Sequence, residues 1–197
     1  MIQTLDHVRT HLRSHLPDAQ PDSASVTFLG TEPIEVLRFR GTGGLVHYVS
    51  LGCSRYPMTD PTQILAGPLC GPRAEIVLRL RDPGPATGIA RSVAILAATP
   101  AVDGLVLAAD ALIDLGSPLW ASPPGPAPFT AVLLGRTDIP DLPLEPPREP
   151  VQFLSATPIT ATEAAWVRLK GAEAMRQAWQ NDGVEVMNPN RSAAQPN

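Results

Sequence analysis

The chain is poor in cysteine and carries no long apolar run. Two cysteines, Cys53 and Cys70, occur in 197 residues without a CxxC pair, so a disulfide framework is not indicated. Both lie near the ends of one loop, where a bridge is sterically conceivable, but reduced thiols are the expected state in a cytoplasmic protein. No apolar stretch reaches the ~18 residues of a membrane span. Asp6 and His7 stand where a signal peptide needs an apolar core, which favours the cytoplasm.

Lysine occurs once, at Lys170, and the excess charge of the chain is acidic. The formal net charge is −4 and the isoelectric point is about 5.5. This balance argues against nucleic acid or an anionic membrane surface as the main partner, and it leaves room for a basic protein. Hydrophobic residues make up 44% of the chain and the mean hydropathy is +0.02, values typical of one globular domain with a sizeable core.

The clearest pattern in the chain is the alternation in GPRAEIVLRLRD, residues 71–82. Apolar side chains alternate there with Glu75, Arg79 and Arg81, and this period of two is the signature of a β-strand with one buried face. We predict that the strand is central in a sheet and pairs with the preceding strand, LVHYVSL at residues 45–51. The three charged side chains are expected on the exposed face, either in cross-strand ion pairs or as a polar patch that meets a partner.

The amino-terminal half adds a helix and a hairpin to this strand. The first helix is predicted from one apolar stripe, which consists of Leu5, Val8, Leu12 and Leu16. The sequence GTGG at residues 41–44 separates two apolar runs and predicts a hairpin loop with glycines at positive φ. Residues 87–98 are predicted to form a second helix, which Pro100 ends.

The carboxy-terminal half is predicted to supply further strands and a long helix. Short apolar runs at residues 129–134 and 151–155 indicate strands, whereas residues 105–115 fit either a helix or a strand, and we expect a strand at 111–115. A capping box of Thr160 and Glu163 predicts the start of the final helix, which ends before Gly183. The predicted inner face of this helix consists of Ala165, Leu169, Ala172, Met175 and Trp179. The sum is an α+β fold: a mixed, mostly antiparallel β-sheet with helices packed on it.

Three histidines are spaced to lie along one stripe of the first helix: His7, His11 and His15. Adjacent imidazoles at this spacing could share a zinc or nickel ion. No cysteine or carboxylate nearby in the sequence is placed to complete such a site, and the stripe borders the apolar face. We therefore interpret the histidines as a solvated helix flank, and we predict neither a metal nor a cofactor.

An enzyme is one alternative to a binding protein. A hydrolase would need Ser54 or Cys53 as nucleophile and His47, on the strand just before, as base. The sequence GCSRY lacks the second glycine of a nucleophile elbow, and the glycines of residues 41–44 lack the Lys-Ser/Thr of a phosphate-binding loop. We predict no catalytic residue. A hydrolase or metal-dependent enzyme that uses His47 or the amino-terminal histidines stays as an alternative, as does a structural homo-oligomeric subunit.

Two neighbouring segments resemble a known family. HYVSLG at residues 47–52, followed after a loop by GPRAEIVLRL at residues 71–80, resembles the suppressor-of-fused domain, in which a strand HYxSxG leads into a strand GxxxELxxRL. The similarity extends in order and spacing from residue 34 to residue 190, and it implies a suppressor-of-fused-like α+β fold. It implies one domain over residues 1–190, with a helix and connector at 1–33, and a flexible tail at 191–197.

The family's role is to hold another protein, so the resemblance implies a non-enzymatic domain that sequesters or neutralises a partner protein. Animal members grip a transcription factor between two lobes, and this chain is similar to the amino-terminal lobe alone. Single-lobe members resemble bacterial proteins proposed as immunity proteins, so a cognate toxin is the concrete expectation. The family's partner-contacting loop corresponds to Tyr56 and Asp60. Together with Glu75, Arg79 and Arg81 they form the expected partner-binding set, and addition of a partner strand to a free sheet edge is one mode of contact.

Overall fold

The computed structural model describes residues 2–18, 20–28, 30–59 and 69–194, with side chains from residue 4 onward. The strands in these residues are β1 (Asp22–Val26), β2 (Ile34–Arg40), β3 (Leu45–Leu51), β4 (Arg73–Arg81), β5 (Leu112–Asp114), β6 (Ala121–Ser122), β7 (Gly125–Pro126), β8 (Phe129–Arg136) and β9 (Val151–Thr160). The helices are α1 (Ile2–His15), α2 (Ile89–Asp103), α3 (Ala161–Lys170) and α4 (Ala172–Asn181), and a 3₁₀ turn spans Cys53–Arg55. No helix among the described residues is both long enough and apolar enough to cross a membrane.

Seven of the strands form one sheet in the order β1–β2–β3–β4–β9–β8–β5. Neighbouring strands are antiparallel except β4 and β9, which run parallel. The short strands β6 and β7 form a separate hairpin. The predicted α+β class, with a mixed and mostly antiparallel sheet, is confirmed. β4 is the fourth of the seven strands and pairs with β3, with Val49 opposite Val77, so the predicted central strand is also found.

One face of the sheet packs on α2, and the other face is covered in two places. On this second face, α1 lies over β2, β3 and β4, while α3 and α4 lie over β8 and the end of β9. β4 is therefore buried on both faces. Val77, on the face that the sequence predicted to be exposed, is 0% exposed and belongs to one apolar cluster with Val8 and Leu12. The prediction of one solvated face was wrong because α1 folds back over the charged side of the strand.

α2 continues past the proline that was predicted to end it. Pro100 lies inside the helix, which runs to Asp103 and ends at Gly104 in the left-handed conformation. Proline has no N–H to donate to the carbonyl of Leu96, four residues earlier. The Thr99 hydroxyl donates to that carbonyl instead, at 2.8 Å, so the lost hydrogen bond is replaced and the helix goes on.

The predicted final helix is two helices that meet at Gly171. The predicted capping box is present at the start of α3, where the Glu163 amide donates to the Thr160 hydroxyl and the Thr160 amide donates to the Glu163 carboxylate. Gly171 has φ 89° and ψ 167°, which breaks the helical phase between α3 and α4. Leu169, predicted to face inward, is consequently 74% exposed. Ala165, predicted on the same inner face, is exposed as well. The helix residues that pack inward are Ala164, Val167, Met175 and Trp179.

The segment from residue 191 was predicted to be a flexible tail, but residues 191–194 pack on the domain. The Arg191 guanidinium donates to both carboxylate oxygens of Glu163, at 2.7 and 3.0 Å, and lies 5.8 Å from the Trp179 ring centroid. Burial raises the pKa of Glu163, but hydrogen bonds from Arg191 and from backbone amides outweigh it and hold the pKa below its ordinary value. The chain is therefore anchored through Ala194, which is also buried.

We predict that Ile76→Asp abolishes stable folding, because Ile76 is 0% exposed in the central strand. The change removes a buried side chain and places an unpaired carboxylate in the α2 core, which should lower the free energy of unfolding by about 4 kcal/mol or more. Leu169→Asp is the matched control, expected within about 0.5 kcal/mol of the unchanged protein because Leu169 is exposed. Chemical denaturation of both variants measures the difference. Equal midpoints would refute the placement of Ile76.

Candidate functional site

Two neighbouring cavities share Glu32 and Arg55 in their linings. One part, of 420 Å³, lies against α1. The larger part, of 500 Å³, lies between the end of β3 and the carboxy-terminal half of α2. Tyr56 stands on its rim and is 47% exposed. We name this larger part the Tyr56 surface; it is formed by Glu32, Cys53, Arg55, Tyr56, Pro57, Met58, Ala97, Ala98, Pro100 and Ala101.

The carboxylate of Glu75 accepts hydrogen bonds from the start of the 3₁₀ turn that precedes Tyr56. The Gly52 and Ser54 amides donate to this carboxylate at 2.9 and 3.0 Å, and the Ser54 hydroxyl donates to it at 2.6 Å. The Ser50 hydroxyl donates to the second oxygen. Burial raises the pKa of Glu75, and these hydrogen bonds act in the opposite direction. Glu75 is 0% exposed, so its predicted contact with a partner is wrong: the 3₁₀ turn covers it.

The guanidinium of Arg73 donates hydrogen bonds to the carbonyls at the end of the same turn. One nitrogen of Arg73 donates to the carbonyls of Ser54 and Arg55 at 2.8 and 3.0 Å, and another donates to the Leu69 carbonyl at 3.5 Å. The turn therefore has an anion at its N–H end and a cation at its C=O end, the arrangement that its aligned peptide dipoles favour. Arg73 was not predicted as a site residue. The signal available was its position two residues before Glu75 on the same side of β4.

Tyr56 is held from the other side by Glu32. The Tyr56 hydroxyl donates to the Glu32 carboxylate at 2.7 Å, and the Arg55 guanidinium pairs with the same carboxylate. This hydrogen bond raises the pKa of Tyr56. The Tyr56 ring is thus fixed by its backbone on the turn and by its hydroxyl on Glu32. Asp60, the other loop residue of the predicted set, lies outside the described residues.

Arg79 and Arg81 lie at the other end of β4. From Glu75 to Arg81 the strand rises by roughly 20 Å, at about 3.3 Å per residue. Arg79 pairs with Asp138, and Arg81 donates to Glu185 at 2.7 Å. Both arginines are partly exposed on the second sheet face, as predicted, but they do not join Tyr56 in one site. The predicted partner-binding set is therefore divided into two surfaces, with Glu75 buried below the first.

The structure does not assemble the alternative hydrolase site. The Ser54 hydroxyl is buried and donates to Glu75, whereas His47 lies opposite Arg79 in the β3–β4 ladder. Burial, and secondly Arg79, lower the pKa of His47, so the imidazole is neutral near pH 7. Cys53 and Cys70 are free thiols, and burial raises the pKa of Cys53 well above its ordinary value, which disfavours the reactive thiolate.

The amino-terminal histidines form contacts within the protein. His11 stacks on Phe153 with 5.3 Å between ring centroids, and its Nε2 lies 2.7 Å from the Pro140 carbonyl. His15 Nδ1 lies 2.8 Å from the His11 carbonyl. In the described part of the chain, no three histidine, cysteine or acidic side chains are grouped so that they could hold a metal ion.

We predict that Glu75→Gln loosens the 3₁₀ turn without unfolding the sheet. The amide keeps the shape of the side chain but loses the negative charge that accepts two amides and two hydroxyls. Charge-assisted hydrogen bonds of this kind contribute about 1.5–3 kcal/mol each, so exchange of the Gly52 and Ser54 amides with deuterium should accelerate by roughly tenfold or more. Glu185→Gln is the control, because Glu185 accepts from Arg81 at the other end of β4, and it should leave these two amides unchanged. Equal protection in both variants would contradict the proposed role of Glu75.

The histidines are predicted not to form a structural metal site. Elemental analysis of protein purified without a histidine tag should find no stoichiometric transition metal, because two imidazoles are fewer than the ligands that a structural zinc site uses. A ratio near one metal per chain that disappears in a His7→Ala, His11→Ala double variant would reverse this prediction.

Solved structures share this fold at low sequence identity. A putative suppressor-of-fused homologue from Neisseria gonorrhoeae matches with a TM-score of 0.69 and 16% identity, over 99% of this chain and 98% of that chain. The crystal structure of the Sufu–Fu complex matches with a TM-score of 0.65 and 14% identity, over 98% and 91% of the two chains. Drosophila Suppressor of Fused matches with a TM-score of 0.63 and 14% identity, over 97% of this chain and 50% of that chain.

These structural matches bear on the fold, and a comparison of sequences bears on the family. No curated protein matches the chain in sequence. The family model of the suppressor of fused protein matches residues 30–192, most of the chain, including the 3₁₀ turn, β4 and the anchored segment at Arg191. The chain therefore belongs to the suppressor of fused protein family, as the two strand motifs in its sequence had indicated.

Proposed function

We propose that the chain is a non-enzymatic protein-binding domain that sequesters or neutralises a partner through the Tyr56 surface. One observation carries this proposal. Six large apolar side chains are exposed among the described residues, and five of them belong to segments at this end of the domain. The five are Tyr56 (47%), Leu69 (52%), Val102 (59%), Leu105 (48%) and Val106 (39%).

These five side chains come from segments that are in contact. The Leu107 amide donates to the sulfur of Met58 at 3.3 Å, which joins the segment after α2 to the segment after the turn. Arg73 holds the Leu69 carbonyl beside the same turn. An exposed apolar group around a cavity, with a tyrosine at its rim, is typical of a protein-interaction surface. Because Glu75 and Arg73 fix the backbone beneath Tyr56, little of its conformational freedom remains to be lost on binding.

The family supports the same reading. One similar structure is that of a complex between two proteins, Sufu and Fu. The match spans 50% of the Drosophila protein, and a grip between two lobes is not part of this proposal. We propose that the single domain binds by surface complementarity in the cytoplasm, and that its partner is a toxin that it neutralises. Arg79 and Arg81 are a second contact in this proposal, reached by a partner that extends along the opposite sheet face.

Capture of the partner from the native host, followed by titration, tests the binding role. Tyr56→Ala should weaken binding by about 2 kcal/mol or more, roughly thirtyfold in dissociation constant, because tyrosines at the centre of an interface contribute most. Arg79→Ala should weaken it less than about threefold, because Arg79 is already paired with Asp138. Both variants should keep the melting temperature of the unchanged protein within a few degrees.

Unchanged affinity in Tyr56→Ala, with the fold intact, would move the interface away from this surface. Turnover of a small substrate that is lost in His47→Ala would reject the binding-protein class. The toxin proposal has its own test: the captured partner should arrest growth when expressed alone. Co-expression of the chain should restore growth, and co-expression of Tyr56→Ala should not. A captured partner that leaves growth unaffected would exclude the immunity role and leave the binding role in place.

A further inference from the structure

We infer that the partner segment entering the Tyr56 surface carries a large apolar side chain next to a lysine or arginine. This inference rests on the proposed function and adds the chemistry of the partner. It follows from two features of the surface: an apolar floor with room for a side chain, and a rim on which carboxylates outnumber guanidiniums.

The floor of the Tyr56 surface is made of small and apolar side chains. Ala97, Ala98 and Ala101 of α2 form one wall, and Met58 contributes to the other. The volume of 500 Å³ falls within the range of cavities that bury a ligand group. Small alanine side chains leave this space open. A large apolar side chain of a partner would fill it, and its apolar surface would be removed from water.

The rim presents negative charge. Glu32 lies between the Tyr56 surface and the neighbouring part of the cavity, whose volume is 420 Å³. The Glu32 side chain is 56% exposed, whereas the Arg55 side chain that neutralises it is 14% exposed. Asp6 lines the neighbouring part, is exposed, and forms no ion pair with the residues described. Arg9 lines that part as well and pairs with Glu35, and their side chains are 31% and 27% exposed. The carboxylates of the two parts, Asp6, Glu32 and Glu35, therefore outnumber the guanidiniums of Arg9 and Arg55.

The end of α2 adds to the same potential. The last carbonyls of the helix carry a partial negative charge, and they lie beside Ala101 on the wall of the cavity. Asp103, the final residue of α2, is exposed two residues beyond Ala101. The chain as a whole has a net charge of −4, which steers cationic partners toward it. Charge complementarity therefore selects a basic segment.

A second copy of this chain is not the occupant that this surface selects. In a two-fold dimer the same patch appears on both sides of the contact. Glu32 and Asp103 of one copy would then face the same carboxylates of its partner, which is unfavourable at an interface.

Selection from a random peptide library displayed on phage tests the inference directly. The immobilised domain should enrich peptides with an aromatic or aliphatic residue within two positions of a lysine or arginine. Ala101→Trp should block these peptides, because the indole fills the cavity from its exposed rim. Ala165→Trp is the matched control, the same change on an exposed helix position of α3, and should bind them like the unchanged domain.

A charge series on one selected peptide tests the rim. The double variant Asp6→Asn, Glu32→Gln should weaken binding about three- to tenfold at low salt, and less at high salt. The double variant Glu173→Gln, Asp182→Asn removes the same charge from exposed positions of α4 and the residue after it, and should change affinity less than about twofold. Equal effects of the two double variants would show general attraction to an acidic protein and would overturn the rim argument.

Several outcomes would reject the inference. Enrichment of acidic or uncharged peptides, no enrichment at all, or unimpaired binding to Ala101→Trp would each do so. The proposed function fails separately. If Tyr56→Ala releases the partner captured from the host while the library gives no basic–apolar consensus, the domain binds through Tyr56 and the inferred partner chemistry is wrong. If Tyr56→Ala changes neither the capture of the host partner nor the binding of the selected peptides, both proposals are rejected.

Discussion

The end of the domain that carries the Tyr56 surface depends on two opposite charges that β4 places two residues apart. Glu75 accepts the N–H groups at the start of the 3₁₀ turn, and Arg73 donates to the carbonyls at its end. A turn of three residues has too few internal hydrogen bonds to hold its own shape, so outside groups must satisfy its ends. The position of Tyr56, the next residue, is consequently set from the centre of the sheet and not by the loop that contains it.

This arrangement has a cost that an apolar strand would avoid. Burial of a carboxylate is unfavourable unless hydrogen bonds compensate it, and Glu75 has four of them. Arg73 is compensated less fully, because its Nε has no hydrogen-bond partner among the described residues. We interpret the polar contacts as a source of specificity: apolar side chains under the turn would allow several backbone positions, whereas directed hydrogen bonds allow one.

The sequence predicted the features that depend on neighbours along the chain. The hairpin glycines Gly43 and Gly44 have positive φ, and the capping box at Thr160 is formed, because both are local. Features that depend on distant parts of the chain were missed. The hydroxyl of Thr99 carries α2 through Pro100, α1 packs on Val77 on the charged side of β4, and the 3₁₀ turn buries Glu75. For the site, sequence reasoning identified Tyr56 as exposed, but it could not show that β4 separates Tyr56 from Arg79 and Arg81.

The parallel pairing of β4 with β9 imposes an order on biosynthesis. Arg73 is opposite Val151, and everything between them, including α2 and β8, must be made before the two strands can join. A nascent chain that has completed β1 to β4 therefore exposes β4 as an unpaired edge, although seven of its nine residues are buried in the finished domain. Such long-range pairings form slowly and leave intermediates open to association. Vectorial synthesis therefore delays the closing of the middle of the sheet until β9 has left the ribosome.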